Sequence, residues 1–386
     1  MLTKDTKNTL ENCFSLLYFI IHFAYLLAGT SLYAIDLHEA HLQTENIVTV
    51  TLSKSREHQE FIDFVSKLDY DPYSTKDSFT WGTVLPLHLR RLLPERLVET
   101  LHEAGITYEP SVIVIRGLPI DPEIPRFESH SLADRARRAD AKPTKISESV
   151  IHALTGLMGY CIESVPTEHQ GRNIHNIIPI NGEEESVSSI GKVELDFHID
   201  GFYASKAPEF VILLGLEPDF PGDTQAATSY LFIEPFLRDF DPAIIEEMKK
   251  PQFKYISSNC IIESAIEDCF PLIQHEGGRV RFRFFSYKNV IFGLNPTAER
   301  VLSYIKEKLS QQTIPGSVVL QPGDALIINN GWGLNKPGGV MHARQGYISN
   351  PCRWMQRGYM YRKIDEIDQD IIGSAGFSTI RHENIS

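Results

Sequence analysis

The second half of the chain consists largely of short apolar runs separated by glycine, proline and aspartate. From about residue 176 onward these runs are "IIPI", "EFVILLGL", "ATSYLFI", "RVRFRFF", "SVVLQ", "ALIIN" and "WMQRGYMYR". Segments rich in β-branched and aromatic residues and bounded by turn residues predict strands. Many short strands of this kind favour a sandwich or barrel over a doubly wound parallel sheet.

Helical patterns precede and interrupt this β-rich region. The apolar spacing predicts helices over 55–68, 90–105, 146–164, 241–250 and 296–311. A buried strand is expected within 111–120, followed by an exposed, charged loop over 121–145. We therefore expect an α+β, mainly β domain over 37–386. Its N-terminal part is helical to about 110, its β core spans about 110–365, and a C-terminal tail follows.

The role of residues 1–36 is open to several interpretations. The stretch 13–36 is strongly apolar and ends in small residues, as a secretory leader cut after Ala34 would. The preceding residues mix acidic and basic side chains, and Leu32 is bulky for a leader of this kind. The sequence leaves open a leader or membrane anchor through residues 13–35, a buried N-terminal helix, or a start codon placed too far upstream.

Charge and cysteine content argue against several classes of function. The net charge is −13 and the chain has no basic stripe, which argues against nucleic-acid binding. The five cysteines are scattered, without a Cys-x-x-Cys pair, so neither a disulfide scaffold nor a thiolate zinc site is expected. Reduced cysteines favour the cytoplasm, although the apolar N-terminus points toward export.

The segment "ELDFHIDGFY", residues 194–203, places His198 and Asp200 two residues apart. With 14 histidines and 50 acidic residues, about two such pairs are expected by chance. The other, His58 and Glu60, lies in a helical pattern whose geometry directs the two side chains apart. On a strand, residues two apart share a face. His198 and Asp200 can therefore share a metal ion only if 194–200 is extended.

A second histidine and an arginine follow much later. His342 lies after a Gly/Pro-rich loop, and Arg357 comes 15 residues further on. Two histidines and one carboxylate form the facial triad that binds iron(II) and leaves coordination positions open. A 2-oxo acid and oxygen fit those positions, and arginine suits the far carboxylate of 2-oxoglutarate because its fork binds carboxylates in a bidentate manner.

At this point the chain resembles the TauD-type, clavaminate synthase-like family of iron(II)/2-oxoglutarate oxygenases, in the branch of amino-acid hydroxylases. The resemblance extends from about 55 to 365. It rests on "VIVIRGLPID", "IIPINGEEESVSS", "VELDFHIDGFYASKAPEFVILLGLEPD" and the distal "HAR…RWMQRGYMYR". It implies a double-stranded β-helix, that is, a cupin-like jelly-roll core with flanking helices.

The resemblance also implies roles for individual residues. His198, Asp200 and His342 would bind iron(II), and Arg357 would bind the distal carboxylate of the cosubstrate 2-oxoglutarate. Thr228, or less favourably Thr224, would donate a hydroxyl to the same carboxylate. Glu168 and Ser188 would contact the backbone of an amino-acid substrate.

Three features depart from the family pattern. The carboxylate is Asp200 instead of the usual glutamate. The second arginine expected four residues after the clamp is Tyr361. The loop before His342 is long, which leaves the alignment of that histidine open.

The implied reaction consumes O2, converts 2-oxoglutarate to succinate and CO2, and hydroxylates the β or γ carbon of a free or carrier-bound amino acid. Desaturation or cyclisation at the same site, a non-catalytic jelly-roll binding protein, and a zinc hydrolase remain as alternatives. The sequence specifies neither the amino acid nor the oligomeric state.

Overall fold

The computed structural model describes residues 42–44, 46–73, 80–125, 131, 137–164, 171–222, 225–255, 269–287, 290–314 and 316–362. The α-helices with defined bounds are α1 (Arg56–Val65), α2 (Leu85–Arg90), α3 (Glu95–Thr107), α4 (Ile146–Leu157), α5 (Ile233–Arg238), α6 (Pro242–Met248) and α7 (Pro296–Ser310), and a π-helix over Thr80–Val84 directly precedes α2. The predicted apolar segment 1–36 lies outside the described residues. No helix within the described ranges combines the length and apolar character needed to span a membrane.

The strands build two main sheets and two smaller ones. They are β1 (Leu42–Thr44), β2 (Ile47–Thr51), β3 (Val112–Arg116), β4 (Tyr160–Ile162), β5 (Ile174–Ile177), β6 (Leu195–His198), β7 (Phe210–Glu217), β8 (Ala227–Phe232), β9 (Phe253–Tyr255), β10 (Ile273–Glu276), β11 (Arg279–Phe282), β12 (Ile291–Gly293), β13 (Gly316–Val318), β14 (Ala325–Asn329), β15 (Trp332–Leu334), β16 (Val340–Gln345) and β17 (Trp354–Arg362).

The large sheet has the order β1-β2-β3-β14-β7-β17, and both β4 and β5 pair with β17. The small sheet has the order β13-β8-β16-β6. Within these two sheets the pairing is antiparallel except between β2 and β3. The predicted combination of helices with extensive sheet is confirmed, but residues 42–51 add strands to a region expected to be helical.

The large sheet is covered on both faces, which explains its unbroken apolar runs. In β7, Ile212 and Leu214 belong to the core shared with α3 and α4. Val211 and Leu213 point the other way, because successive strand residues alternate. They share a cluster with Tyr230 and Val340 of the small sheet. The two sheets therefore face each other across an apolar layer.

Helix boundaries differ from the predictions where glycine or proline intervenes. The predicted helix 90–105 is divided, because Pro94 cannot continue a helix, and α3 runs instead to Thr107. The predicted helix 146–164 ends at Leu157. Gly159 then takes a positive φ of 82°, and the chain turns into β4.

The loop predicted to be exposed, 121–145, is only partly exposed over its described residues. Asp121 and Lys142 are buried, and the Lys142 Nζ donates to Asp121 Oδ2 at 2.7 Å and to Glu148 Oε2 at 2.6 Å. A buried lysine requires such paired carboxylates. The loop is thereby attached to α4, behind the large sheet.

Candidate metal centre

Two of the three predicted metal ligands are cross-strand partners. His198 ends β6, His342 lies on β16, and the two residues are opposite each other in the antiparallel register. Their ring centroids are 4.2 Å apart. The long loop before His342 contains β15 and returns the chain to β16, which is in register with β6 at His342.

Asp200 lies just beyond the end of β6. Its Oδ1 is 3.9 Å from His198 Nε2, and its Oδ2 is 3.4 Å from His342 Nε2. One ligand atom from each of the three residues lies within 4.8 Å of the others. The structure therefore brings together the three residues that the sequence analysis selected.

The protonation states suit a metal. The Nδ1 of His198 donates to the carbonyl of Asp196 at 2.8 Å, so Nε2 presents a lone pair. Burial, together with His342, lowers the pKa of His198 to about 3. Burial alone would raise the pKa of Asp200, but Arg357 and the two histidines hold it below its ordinary value.

A metal ion fits this donor set. Asp200 Oδ2 and His342 Nε2 are buried and have no hydrogen-bond partner among the described residues. Such atoms are costly unless something coordinates them. Two imidazoles and one carboxylate that leave positions open are the donors that iron(II) takes in non-haem oxygenases.

Arg357 and Tyr359 approach the same carboxylate from β17. Arg357 Nη1 and the Tyr359 hydroxyl each donate to Asp200 Oδ1 at 3.2 Å. Arg357 Nη2 lies 3.0 Å from Nδ1 of His175, on the neighbouring strand β5. Because guanidinium only donates, His175 accepts through Nδ1.

Comparison with known proteins decides the family. The family model described as "Taurine catabolism dioxygenase TauD, TfdA family" matches residues 73–359. The chain belongs to this family. A search of curated proteins found no match.

Solved structures share the fold. Asparagine oxygenase in complex with Fe(II), 2S,3S-3-hydroxyasparagine and succinate has a TM-score of 0.63 and 18% identity, over 81% of this chain and 92% of that chain. The non-heme iron oxygenase OrfP in complex with Fe, succinate and (3R,4R)-dihydroxy-L-Arg has a TM-score of 0.64 and 17% identity, over 83% of this chain and 96% of that chain. The predicted resemblance to the TauD-type family is confirmed by the family model, and the likeness to these two oxygenases is one of fold.

Two further arginines lie between the sheets of this TauD-family protein. Arg344 and Arg353 are buried, and among the described residues no carboxylate lies within salt-bridge distance of either one. Burial, with Arg353 nearby, lowers the pKa of Arg344 to about 9, and burial lowers that of Arg353 to about 10. Arg353 Nη1 has no hydrogen-bond partner in the described part of the chain.

Thr228 lies beside these arginines. It is buried on β8, directly opposite Arg344 of β16. Arg344 is two residues from His342 and therefore on the same face of the small sheet. Arg344 itself donates through Nε to the carbonyl of Val193 at 3.0 Å, which fixes its direction.

Of the residues predicted to contact substrate, the structure describes only Ser188. Ser188 is half-buried, and its hydroxyl accepts from Ile190 N at 3.3 Å and pairs with Ser186 at 3.0 Å. Glu168 and Thr224 lie outside the described residues. The roles of these three residues remain predictions.

Four polar residues near the site were not predicted from the sequence: Asn330, Tyr359, Arg344 and Arg353. One usable signal existed for Arg353, because it precedes Arg357 by four residues, which is the spacing expected for the family's two arginines. No local pattern distinguishes Asn330 or Tyr359 from packing residues.

Proposed function

We propose that the protein is an iron(II)- and 2-oxoglutarate-dependent oxygenase that hydroxylates the β or γ carbon of a free or carrier-bound amino acid. The single observation that carries this proposal is the meeting of His198, Asp200 and His342, where Asp200 Oδ2 and His342 Nε2 have no hydrogen-bond partner among the described residues. Family membership supports the reaction type. The hydroxylated amino acids bound to asparagine oxygenase and OrfP support the substrate class.

The fold that carries this site is proposed to be a double-stranded β-helix. Two largely antiparallel sheets face each other, and the proposed metal centre lies between them on β6, β16 and the turn after β6. Jelly rolls with two facing sheets commonly enclose such sites.

When bound, iron(II) with 2-oxoglutarate and oxygen supplies an oxidant strong enough to remove hydrogen from an unactivated carbon. The chain contributes the geometry of the site. His198 keeps Nε2 unprotonated through its bond to Asp196, and Asp200 remains a carboxylate beside Arg357. The apolar layer between the sheets limits access of water to the reacting atoms.

The geometry favours Arg353 over Arg357 for the distal carboxylate of 2-oxoglutarate. Arg357 already donates to Asp200, so it lies beside the metal itself. Arg353 is four residues away, about 13 Å along an extended chain, and is a buried guanidinium without a carboxylate partner among the described residues. We therefore place the distal carboxylate against Arg353, with Thr228 as a hydroxyl donor and Arg344 as a second positive charge.

The proposed reaction is tested by assaying a panel of the common L-amino acids for iron-dependent release of succinate. Mass spectrometry of the amino acid should show a gain of one oxygen atom. His198→Ala should lose both signals. A loss of two hydrogens would identify desaturation or ring closure instead. Equal inertness of wild type and His198→Ala after anaerobic iron loading would support the non-catalytic binding protein.

The cosubstrate assignment is tested with two matched substitutions on one strand. Arg353→Lys keeps the charge but loses the bidentate fork, and we expect the KM for 2-oxoglutarate to rise by about 10- to 100-fold. Arg357→Lys should lower kcat more than it raises that KM, because it changes the surroundings of Asp200. The opposite pattern would return the clamp to Arg357, as the sequence analysis predicted.

A further inference from the structure

The carboxylate ligand is held differently from the two histidines. His198 and His342 are paired in a sheet, where the ladder fixes both backbones. Asp200 follows the end of β6 and has no such ladder. Its backbone groups are bound instead by one side chain. Asn330 Oδ1 accepts from Asp200 N at 3.0 Å, and Asn330 Nδ2 donates to the Asp200 carbonyl at 2.8 Å.

The amide oxygen and both amide hydrogens of Asn330 form hydrogen bonds to main-chain groups. The second proton on Nδ2 is donated to the Pro208 carbonyl at 3.0 Å, at the far end of the turn that Asp200 begins. Asn330 is buried and is itself anchored by its backbone N–H, which donates to the Glu209 carbonyl at 3.0 Å. A primary amide has two donor hydrogens and one acceptor oxygen, so no other residue type with this shape supplies the same set.

Two buried arginines donate hydrogen bonds to main-chain carbonyls of the turn after Asp200. Arg283 Nε donates to the Phe202 carbonyl at 2.7 Å. Arg281 donates to the Ala204 carbonyl at 2.6 Å and to the Ser205 carbonyl at 2.9 Å. Both guanidinium groups are buried, and their hydrogen bonds restrain the main chain of this turn.

We infer that Asn330, supported by Arg281 and Arg283, is the positioning residue for the carboxylate ligand. This inference rests on the proposed function, because it concerns how Asp200 is aimed at the metal. Aspartate is one methylene shorter than glutamate and has less reach to correct a displaced backbone. The amide clamp therefore sets the distance from Asp200 to the two strand-held histidines.

The neighbouring residue provides a matched control. Asn329 is also buried and makes three side-chain hydrogen bonds, donating to the carbonyls of Tyr108 and Trp332 and accepting from Trp332 N. None of these contacts involves Asp200. Asn329→Asp and Asn330→Asp thus make the same chemical change at adjacent positions, each placing a carboxylate oxygen against two carbonyl oxygens.

The test is a titration of the apoprotein with Co(II), followed by its visible absorption bands, which requires no turnover. We expect Asn330→Asp to weaken Co(II) binding by about 10- to 100-fold and to alter the bands, whereas Asn329→Asp stays within about threefold of wild type. Equal affinities for the two variants would overturn the inference. Failure of wild type to bind Co(II), or unchanged binding in His198→Ala, would instead overturn the proposed function.

A second pair keeps the inference testable if Asn330→Asp does not fold. Arg281→Lys cannot serve the same set of carbonyls from one ammonium group, while Arg279→Lys changes a residue on the same strand that pairs with Glu209 and Glu276. Weaker Co(II) binding in Arg281→Lys alone supports the inference. Equal binding in both variants contradicts it.

Discussion

The two faces of β17 carry different chemistry along the same nine residues. Trp354, Gln356 and Met360 face α4 and the helical core, where the polar member, Gln356, donates to Glu148 at 2.7 Å and to Asn176 at 3.1 Å. Arg357 and Tyr359 face the small sheet and both donate to Asp200.

This difference shows how the strand separates stability from function. On the helical face Gln356 Nε2 donates two hydrogen bonds, to Glu148 and Asn176. Gly358 leaves little room for a side chain there, since an added Cβ would lie 2.6 Å from Ile162 Cδ1. On the inner face, ionised groups are arranged around the proposed metal site. Changes on the first face should alter stability, and changes on the second should alter binding.

The largest effect is expected at Trp354. Its side chain is fully buried, its Nε1 donates to Asn176 at 3.0 Å, and the Arg138 guanidinium lies 4.6 Å above its ring. Trp354→Ala should lower the free energy of unfolding by about 3–5 kcal/mol, measured by urea denaturation. The KM for 2-oxoglutarate should stay near the wild-type value. A KM change as large as that of Arg353→Lys would break the separation between the faces.

A smaller effect is expected from pH, again on the helical side. Burial lowers the pKa of His152 on α4 to about 4, below its ordinary value of 6.5. As the pH falls, the unfolded chain takes up this proton first, so stability is complete above about 6.5 and declines toward pH 4. The expected loss between pH 7 and 5 is about 2 kcal/mol.

His152→Gln isolates this contribution, because other titrating groups remain in both proteins. The difference in unfolding free energy between wild type and His152→Gln should shrink from pH 7 to pH 5. Parallel pH profiles for the two proteins would show that His152 is not the group responsible.

The smallest effect is expected for Tyr359, on the face of β17 that points toward the small sheet. Tyr359→Phe removes one hydrogen bond to Asp200 and no apolar volume, so metal affinity should fall by about tenfold with little change in melting temperature. Tyr361→Phe, two residues along on the same face, is the control. If both variants bind Co(II) as wild type does, the Tyr359 hydroxyl has no part in orienting the ligand.

Sequence patterns predicted the strands that are enclosed on both sides. The runs "ALIIN" and "WMQRGYMYR" coincide with β14 and β17, because an enclosed strand must be apolar or specifically paired throughout and ends at polar or turn residues. Helix ends were predicted less well. Pro94 and Gly159 decided them through backbone geometry that periodicity of apolar residues does not register.

The donor chemistry of the site can be read from the residue types, because the covalent structure of histidine, aspartate and arginine fixes what each side chain binds. How these donors are used depends on the folded arrangement. The register of β6 with β16 brought His342 to His198, and Arg357 was placed against Asp200 while Arg353 was left without a carboxylate among the described residues. These outcomes depend on pairing between distant strands, which a local pattern does not encode.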